Sequence, residues 1–88
     1  MAVAPPFDPD LFDLLVCPVS RKPLKWADGR LVSTDAETRL AYRVEGDVPV
    51  MLADAATALD SAEWQRLMAL DGPIGQGADA VRRRHGRA

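Results

Sequence analysis

The spacing of apolar and polar positions changes along this chain, and each change marks an element. Leu11, Leu14 and Leu15 fall on one helical face, flanked by Phe12 and Val16. Asp8 reads as the N-cap of that run, with Pro9 at the first helical position and Asp10 favourable to the helix dipole. Pro18 disfavours helical geometry at Cys17, so the spacing predicts a short helix over about Pro9–Val16. Next, Leu24-Lys25-Trp26-Ala27 and Arg30-Leu31-Val32-Ser33 flank Asp28-Gly29. An Asp-Gly pair between extended runs predicts a two-residue hairpin, because both turn positions need positive φ. That register sets Trp26 opposite Leu31, with Leu24 beside them.

Thr34 to Thr38 is a polar loop. Leu40, Tyr42 and Val44 then alternate with Arg39, Ala41 and Arg43, the pattern of a half-buried strand. Glu45-Gly46-Asp47 turns the chain into Val48-Pro49-Val50-Met51-Leu52, and Pro49 confines that strand to an edge or a bend. After Ala53 the period becomes helical. Asp60 with Glu63 forms a capping-box-like start, Trp64, Leu67 and Met68 make an i, i+3, i+4 stripe, and Gly72-Pro73 supplies the stop. Such a stripe is core or a partner-binding face, and both readings stand. Beyond Ile74 no apolar periodicity offsets the entropy of ordering the chain. The expected organisation is a flexible lead-in over 1–7, one α+β domain over 8–71 and a flexible basic tail over 72–88.

At 88 residues the chain has room for one domain with a thin core. Cys17 is its single cysteine, which excludes an internal disulfide and points to a reducing, cytoplasmic setting. No apolar run approaches the roughly 20 residues of a membrane span, and no signal peptide is visible. Four arginines (Arg82, Arg83, Arg84 and Arg87) lie in the last seven residues, against an acidic body upstream. That tail is either a solvated end or a weak phosphate contact to nucleic acid. The acidic body and the lack of interleaved aromatics favour the former.

The residues do not assemble a catalytic set. A nucleophilic Cys17 would need a base, and the only histidine, His85, falls in the expected tail. The glycines are isolated turn or tail residues rather than a phosphate-cradling loop, and the carboxylates are scattered over turns and caps. An enzyme is not expected, and no cofactor is implied.

One ordered series of landmarks is more specific. A short Leu-rich helix leads into Leu-Leu-x-Cys-Pro-Val-x-x-x-Pro-Leu (Leu14 to Leu24), then a hairpin, Leu-Ala-Tyr-x-Val (Leu40 to Val44) and Val-Pro-Val-Met-Leu (Val48 to Leu52). Over about Asp8 to Ala55 this resembles the small zinc-ribbon-like activator subunits of tRNA and protein methyltransferases, the Trm-type family, and in particular its short YcaR-like bacterial branch. The resemblance implies a small α+β fold with a four-stranded antiparallel sheet, flanked here by the N-terminal and C-terminal helices. It also implies a non-catalytic role in binding and stabilising methyltransferases that use S-adenosylmethionine. Many members carry two cysteine pairs that hold a metal; here those positions fall at Cys17 and Ser20, and at Asp35 and Thr38. Hydroxyls are poor substitutes for thiolates, so no metal is expected, and Cys17 becomes a small buried hydrophobe.

The expected partner is a protein, a methyltransferase first, with a nucleic-acid-binding ribbon or a self-associating homodimer as alternatives. Its contact surface is placed on Val48, Pro49, Val50 and Met51, whose edge strand suits an incoming strand, together with Trp64, Leu67 and Met68. Met51 is expected on the face opposite Val50, while Val48 and Val50 point either to the partner or into the core.

Overall fold

Asp28 and Gly29 both take positive φ, 56° and 73°, and turn β1 (Leu24–Ala27) back into β2 (Arg30–Ser33). This computed structural model describes Pro6 and residues 8–85, so Arg87 and the expected lead-in other than Pro6 lie outside the described residues. Trp26 pairs with Leu31 as the alternation predicts, and Leu24 pairs with Ser33. β3 (Leu40–Tyr42) adds antiparallel to β2, with Tyr42 opposite Leu31. The fourth strand is β6 (Thr57–Ala58), giving the order β1-β2-β3-β6.

The sheet has the expected four antiparallel strands, but Val48–Leu52 does not supply the fourth. After Tyr42 the chain peels away into a separate two-stranded ribbon, β4 (Val44–Glu45) against β5 (Val48–Pro49). Val50 N–H donates to Arg43 O at 3.0 Å and closes the ribbon. Pro49 has no N–H to give a ladder, which suits a ribbon arm better than a place in the sheet. A 3₁₀ turn at Ala53–Ala55 returns the chain to β6.

Side-chain alternation sorts the residues into two cores. Leu24, Trp26, Leu31 and Tyr42 join Phe12 and Cys17 on one face, where Leu15, Leu40, Val44, Met51 and Ala56 pack on them. On the other face Ala27, Val32 and Ala41 meet Leu59 and Leu67, with Trp64 and Met68 beside them. β3, expected to be half-buried, is therefore covered on both sides at Ala41 and Tyr42.

The helix α2 (Ser61–Ala69) covers the second face. Asp60 caps it by accepting Glu63 N–H at 2.8 Å, the expected start signal. Trp64 Nε1 donates to Ser33 O at 2.8 Å, which ties the helix to β2. At the other end Lys25, buried in β1, donates through Nζ to Met68 O at 2.5 Å and to Leu70 O. The last carbonyls of the helix thus gain a cation where the dipole is negative.

The N-terminal helix α1 is shorter than the spacing predicts, Pro9–Leu14 rather than Pro9–Val16, because Val16 leaves to pair with Pro23. Of the leucine stripe only Leu15 docks, against the first core. Leu11 and Leu14 are exposed, while Phe12 and Asp13 are buried.

What buries Asp13 is the segment expected to be a flexible tail. From Gly72 the chain runs alongside β1: Trp26 N–H donates to Pro73 O and Gly75 N–H donates to Leu24 O, each at 2.9 Å. A Cβ at Gly72 would lie 2.3 Å from Trp26 O, so only glycine allows this approach. Gln76 N–H then donates to Asp13 Oδ1 at 3.0 Å and Gly77 N–H to Asp13 O at 2.9 Å. A third helix, α3 (Ala78–His85), lies against α1, where Arg84 pairs with Asp10 and Asp13, and His85 contacts Asp10. The tail reading over 72–88 is thus corrected as far as His85. The segment lacks an apolar stripe, yet backbone bonds to an open strand edge and charge-assisted bonds to two carboxylates offset the ordering entropy.

Removing Gly75 to Ala88 should strip Asp13 of its Gln76 and Arg84 donors and Leu24 O of the Gly75 N–H, returning these groups to water. We expect the thermal transition, followed by circular dichroism, to fall by at least about 5 °C, the response of a domain this size to a loss of about 1 kcal/mol. An unchanged transition would show that the segment adds nothing to the fold.

Candidate functional site

The four positions at which the family resemblance places metal ligands fall on two matching turns. Arg21 N–H donates to Cys17 O at 2.7 Å, and Arg39 N–H donates to Asp35 O at 3.0 Å. Each turn ends on a left-handed residue, Arg21 at φ 63° and Arg39 at φ 50°. The two knuckles, Cys17 to Ser20 and Asp35 to Thr38, therefore share one backbone design.

Hydrogen bonds join their side chains into a chain. Cys17 Sγ lies 3.0 Å from Tyr42 Oη, and Ser20 N–H reaches the same sulfur at 3.5 Å. Ser20 Oγ lies 3.3 Å from Ser33 Oγ, which accepts Asp35 N–H at 3.2 Å. Thr38 Oγ1–H closes the second knuckle by donating to Asp35 Oδ2 at 2.6 Å. Ser33, fully buried at the end of β2, is the centrepiece, and sequence reasoning missed it. Its only sequence signal is a small hydroxyl paired with an apolar strand residue, Leu24.

These donors do not fit a structural metal. They offer one thiol, two hydroxyls and one carboxylate where such a site wants four thiolate or imidazole ligands. Cys17 Sγ is already engaged by Tyr42, and Asp35 by Thr38 and the Glu37 N–H. Among the described residues, no three His, Cys, Asp or Glu side chains gather as a metal-binding group.

The electrostatics follow from the same bonds. Burial pushes the Cys17 thiol up, but the Ser20 and Tyr42 hydroxyls and the Ser20 and Val19 N–H groups outweigh it and leave it below its ordinary value. Burial, helped by the bond to Cys17, holds the Tyr42 hydroxyl well above the phenol range, so Tyr42 stays protonated and can donate to sulfur. The Thr38 hydroxyl, against partial desolvation, holds Asp35 below the usual carboxylate range, with the Glu37 N–H and Lys22 adding to the effect. A depressed carboxylate stabilises the fold above its unfolded value and loses that contribution as pH falls, so the knuckle is intact at neutral pH.

The residues expected to meet a partner are dispersed. Val48 is 60% exposed on the ribbon, and Pro49 and Val50 are half-buried. Met51 packs against the core face that holds Tyr42. Trp64 and Met68 are half-buried on the opposite core, and Leu67 is wholly inside it. Leu52, 64% exposed beside the ribbon, was not singled out by sequence. In the basic segment Arg82 pairs with Asp79 and Arg84 with Asp10 and Asp13, while Arg83 is exposed.

Taken together, a thin two-faced sheet, a thiol committed to a phenol and a lone, surface histidine define a small α+β module without a catalytic set among the described residues. A model of the Trm112p-like protein family matches residues 8–47. A UPF0434 protein of Chelativorans sp. is 45% identical over 59 residues, 67% of this chain and 83% of that protein. Another, from Paracidovorax citrulli, is 43% identical over 58 residues, 66% of this chain and 97% of the relative. A tetraacyldisaccharide 4'-kinase of Verminephrobacter eiseniae is 43% identical over 63 residues, 69% of this chain but only 14% of the kinase. No solved structure matches. The chain belongs to the Trm112p-like, UPF0434 family of small proteins. That membership is consistent with a non-catalytic activator or stabiliser role for methyltransferases.

Two outcomes test the knuckles. Replacing Ser33 with Ala should cost about 1–3 kcal/mol in denaturant unfolding, because Ser20 Oγ and Asp35 N–H lose their shared buried partner. A chelator should leave the thermal transition of the native protein unmoved. Conversely, the triple variant Ser20→Cys, Asp35→Cys, Thr38→Cys would complete four thiols on the two turns. It should take up about one equivalent of zinc and melt higher with metal than without. A folded triple variant that ignores zinc would show that the knuckles do not face one another as ligands must.

Proposed function

We propose that this protein is a non-catalytic module that binds and stabilises a methyltransferase using S-adenosylmethionine. The observation that carries the reading is membership of the Trm112p-like family through the residues that build the knuckles and hairpin. The contact surface centres on the β4–β5 ribbon. β5 pairs only with β4 among the described residues, and Val48 and Leu52 expose apolar side chains on either side of Pro49-Val50-Met51. A strand of the partner can add to the ribbon while these side chains cover apolar surface on the enzyme. Trp64 and Met68 border this role by bracing the sheet, and Leu67 serves it only through the core. A partner that binds the folded module is stabilised in turn by mass action.

A second reading has one observation behind it. The match to a segment forming 14% of a tetraacyldisaccharide 4'-kinase means that a module of this kind occurs joined to other chain. On that reading the partner of this protein is a kinase of that class. Nucleic-acid binding is less well supported, because Arg82 and Arg84 are already in ion pairs.

Val48→Asp and Leu52→Asp test the surface, since both side chains are exposed and the fold should persist. Tagged native protein should co-purify a methyltransferase, and the double variant should lose it while keeping its melting temperature. Met51→Lys provides the contrast: its side chain packs on the core, so it should lower the melting temperature as well. Recovery of the kinase would favour the second reading, and a concentration-dependent dimer by sedimentation would favour self-association.

A further inference from the structure

The segment 72–85 fills the open edge of β1 and the acidic side of α1, and it does so without apolar burial. Its seat consists of two backbone hydrogen bonds to β1, the donors to Asp13 and the Arg84 ion pairs. No residue of α3 is buried, and Ile74 is 42% exposed. By contrast α2 sinks Leu67 completely into the core. A contact built of edge hydrogen bonds and surface charge belongs to the low-stability end of a fold, where segments open locally.

We propose that the β1 edge and the adjoining carboxylates of α1 form a second docking surface, for a protein segment with an extended glycine-containing strand followed by a basic helix, and that residues 72–85 are its built-in competitor. The occupant already seated there defines the chemistry. A carbonyl must meet Trp26 N–H and an N–H must meet Leu24 O, as Pro73 and Gly75 do. A residue without a side chain must pass Trp26 O, as Gly72 does. A cation must then reach Asp13, only 7% exposed, because that carboxylate is costly to leave unpaired. A partner segment meeting these three demands displaces the strap, and one lacking them does not. The partner concerned is the one the binding-module reading supplies, but the surface is tested without it.

The probe is a labelled synthetic peptide of residues 71–88, added to the full-length chain. In the native protein the Trp26 amide should be protected from hydrogen exchange and the peptide should bind poorly, because the edge is filled. Gly72→Ala should dislodge the strap rather than β1, which remains paired with β2. Trp26 should then exchange at least about tenfold faster while Val32 stays protected, and the peptide should bind at least about tenfold tighter and restore Trp26 protection. A peptide carrying Arg84→Glu should bind the variant weakly. If Gly72→Ala also costs Val32 its protection, full-length Arg84→Glu is the measuring arm, with the same directions expected. Equal peptide binding to native and variant chains, no binding to either, or unchanged Trp26 exchange would overturn the proposal. Failure to find a methyltransferase would remove the proposed function and leave this result standing.

Discussion

Everything in this small fold leans on β1, a strand of four residues that is buried at each position. One edge pairs with β2, and the other holds residues 73–75. One face carries Leu24 and Trp26 into the core that includes Phe12, Cys17 and Tyr42. The other carries Ala27 into the second core and Lys25 to the end of α2. A charged residue in the most enclosed strand looks like a defect in the hydrophobic pattern. It is instead the bond that fixes where α2 stops, since the terminal carbonyls of a buried helix end need donors and a cation answers their dipole. Moving β1 by one residue would send Lys25 into the aromatic core and strand those carbonyls, so the register is specified twice.

The knuckles show how the same backbone is held without the usual ligands. A metal would join two turns by coordinating four side chains at one point. Here the joint is spread along Tyr42, Cys17, Ser20, Ser33, Asp35 and Thr38, each bond worth a modest net amount. The left-handed residues Arg21 and Arg39 retain the turn geometry at a conformational cost that non-glycine residues normally avoid. Such a network tolerates no single loss well, because each buried group it abandons stays desolvated.

How much of this could be read beforehand depends on range. Asp28-Gly29, the Asp60 cap and the Trp26–Leu31 pairing are decided by residues within a few positions of one another, and they emerge as the local chemistry dictates. The four-strand count was right, yet β6 was invisible: Thr57-Ala58 is too short to show a period and is a strand only because Leu40 and Ala41 offer it an edge. Pro49 was rightly excluded from a central ladder, but nothing local says that the arm would leave with β4 instead of staying at the edge. The leucines of α1 misled for a related reason. A six-residue helix need not bury its most apolar stripe when a distant Arg84 and Gln76 claim its Asp13. Of the site, the four knuckle positions are legible in the sequence, whereas Ser33 is not, since its importance lies in what faces it.

The way the sheet is covered also shows where the fold leaves surface for a partner. Among the described residues both faces of the sheet are already occupied, each by its own cluster of buried side chains. Its one thiol is spent on Tyr42, and its histidine sits on the surface against Asp10. Among the described residues, surface beside the ribbon remains open at the outer edge of β5 and at the exposed Val48 and Leu52. These are backbone edges and isolated apolar side chains, the materials of strand addition rather than of a pocket. A thin core thereby turns into an asset, because a partner that completes an edge adds hydrogen bonds and burial that so short a chain cannot supply for itself.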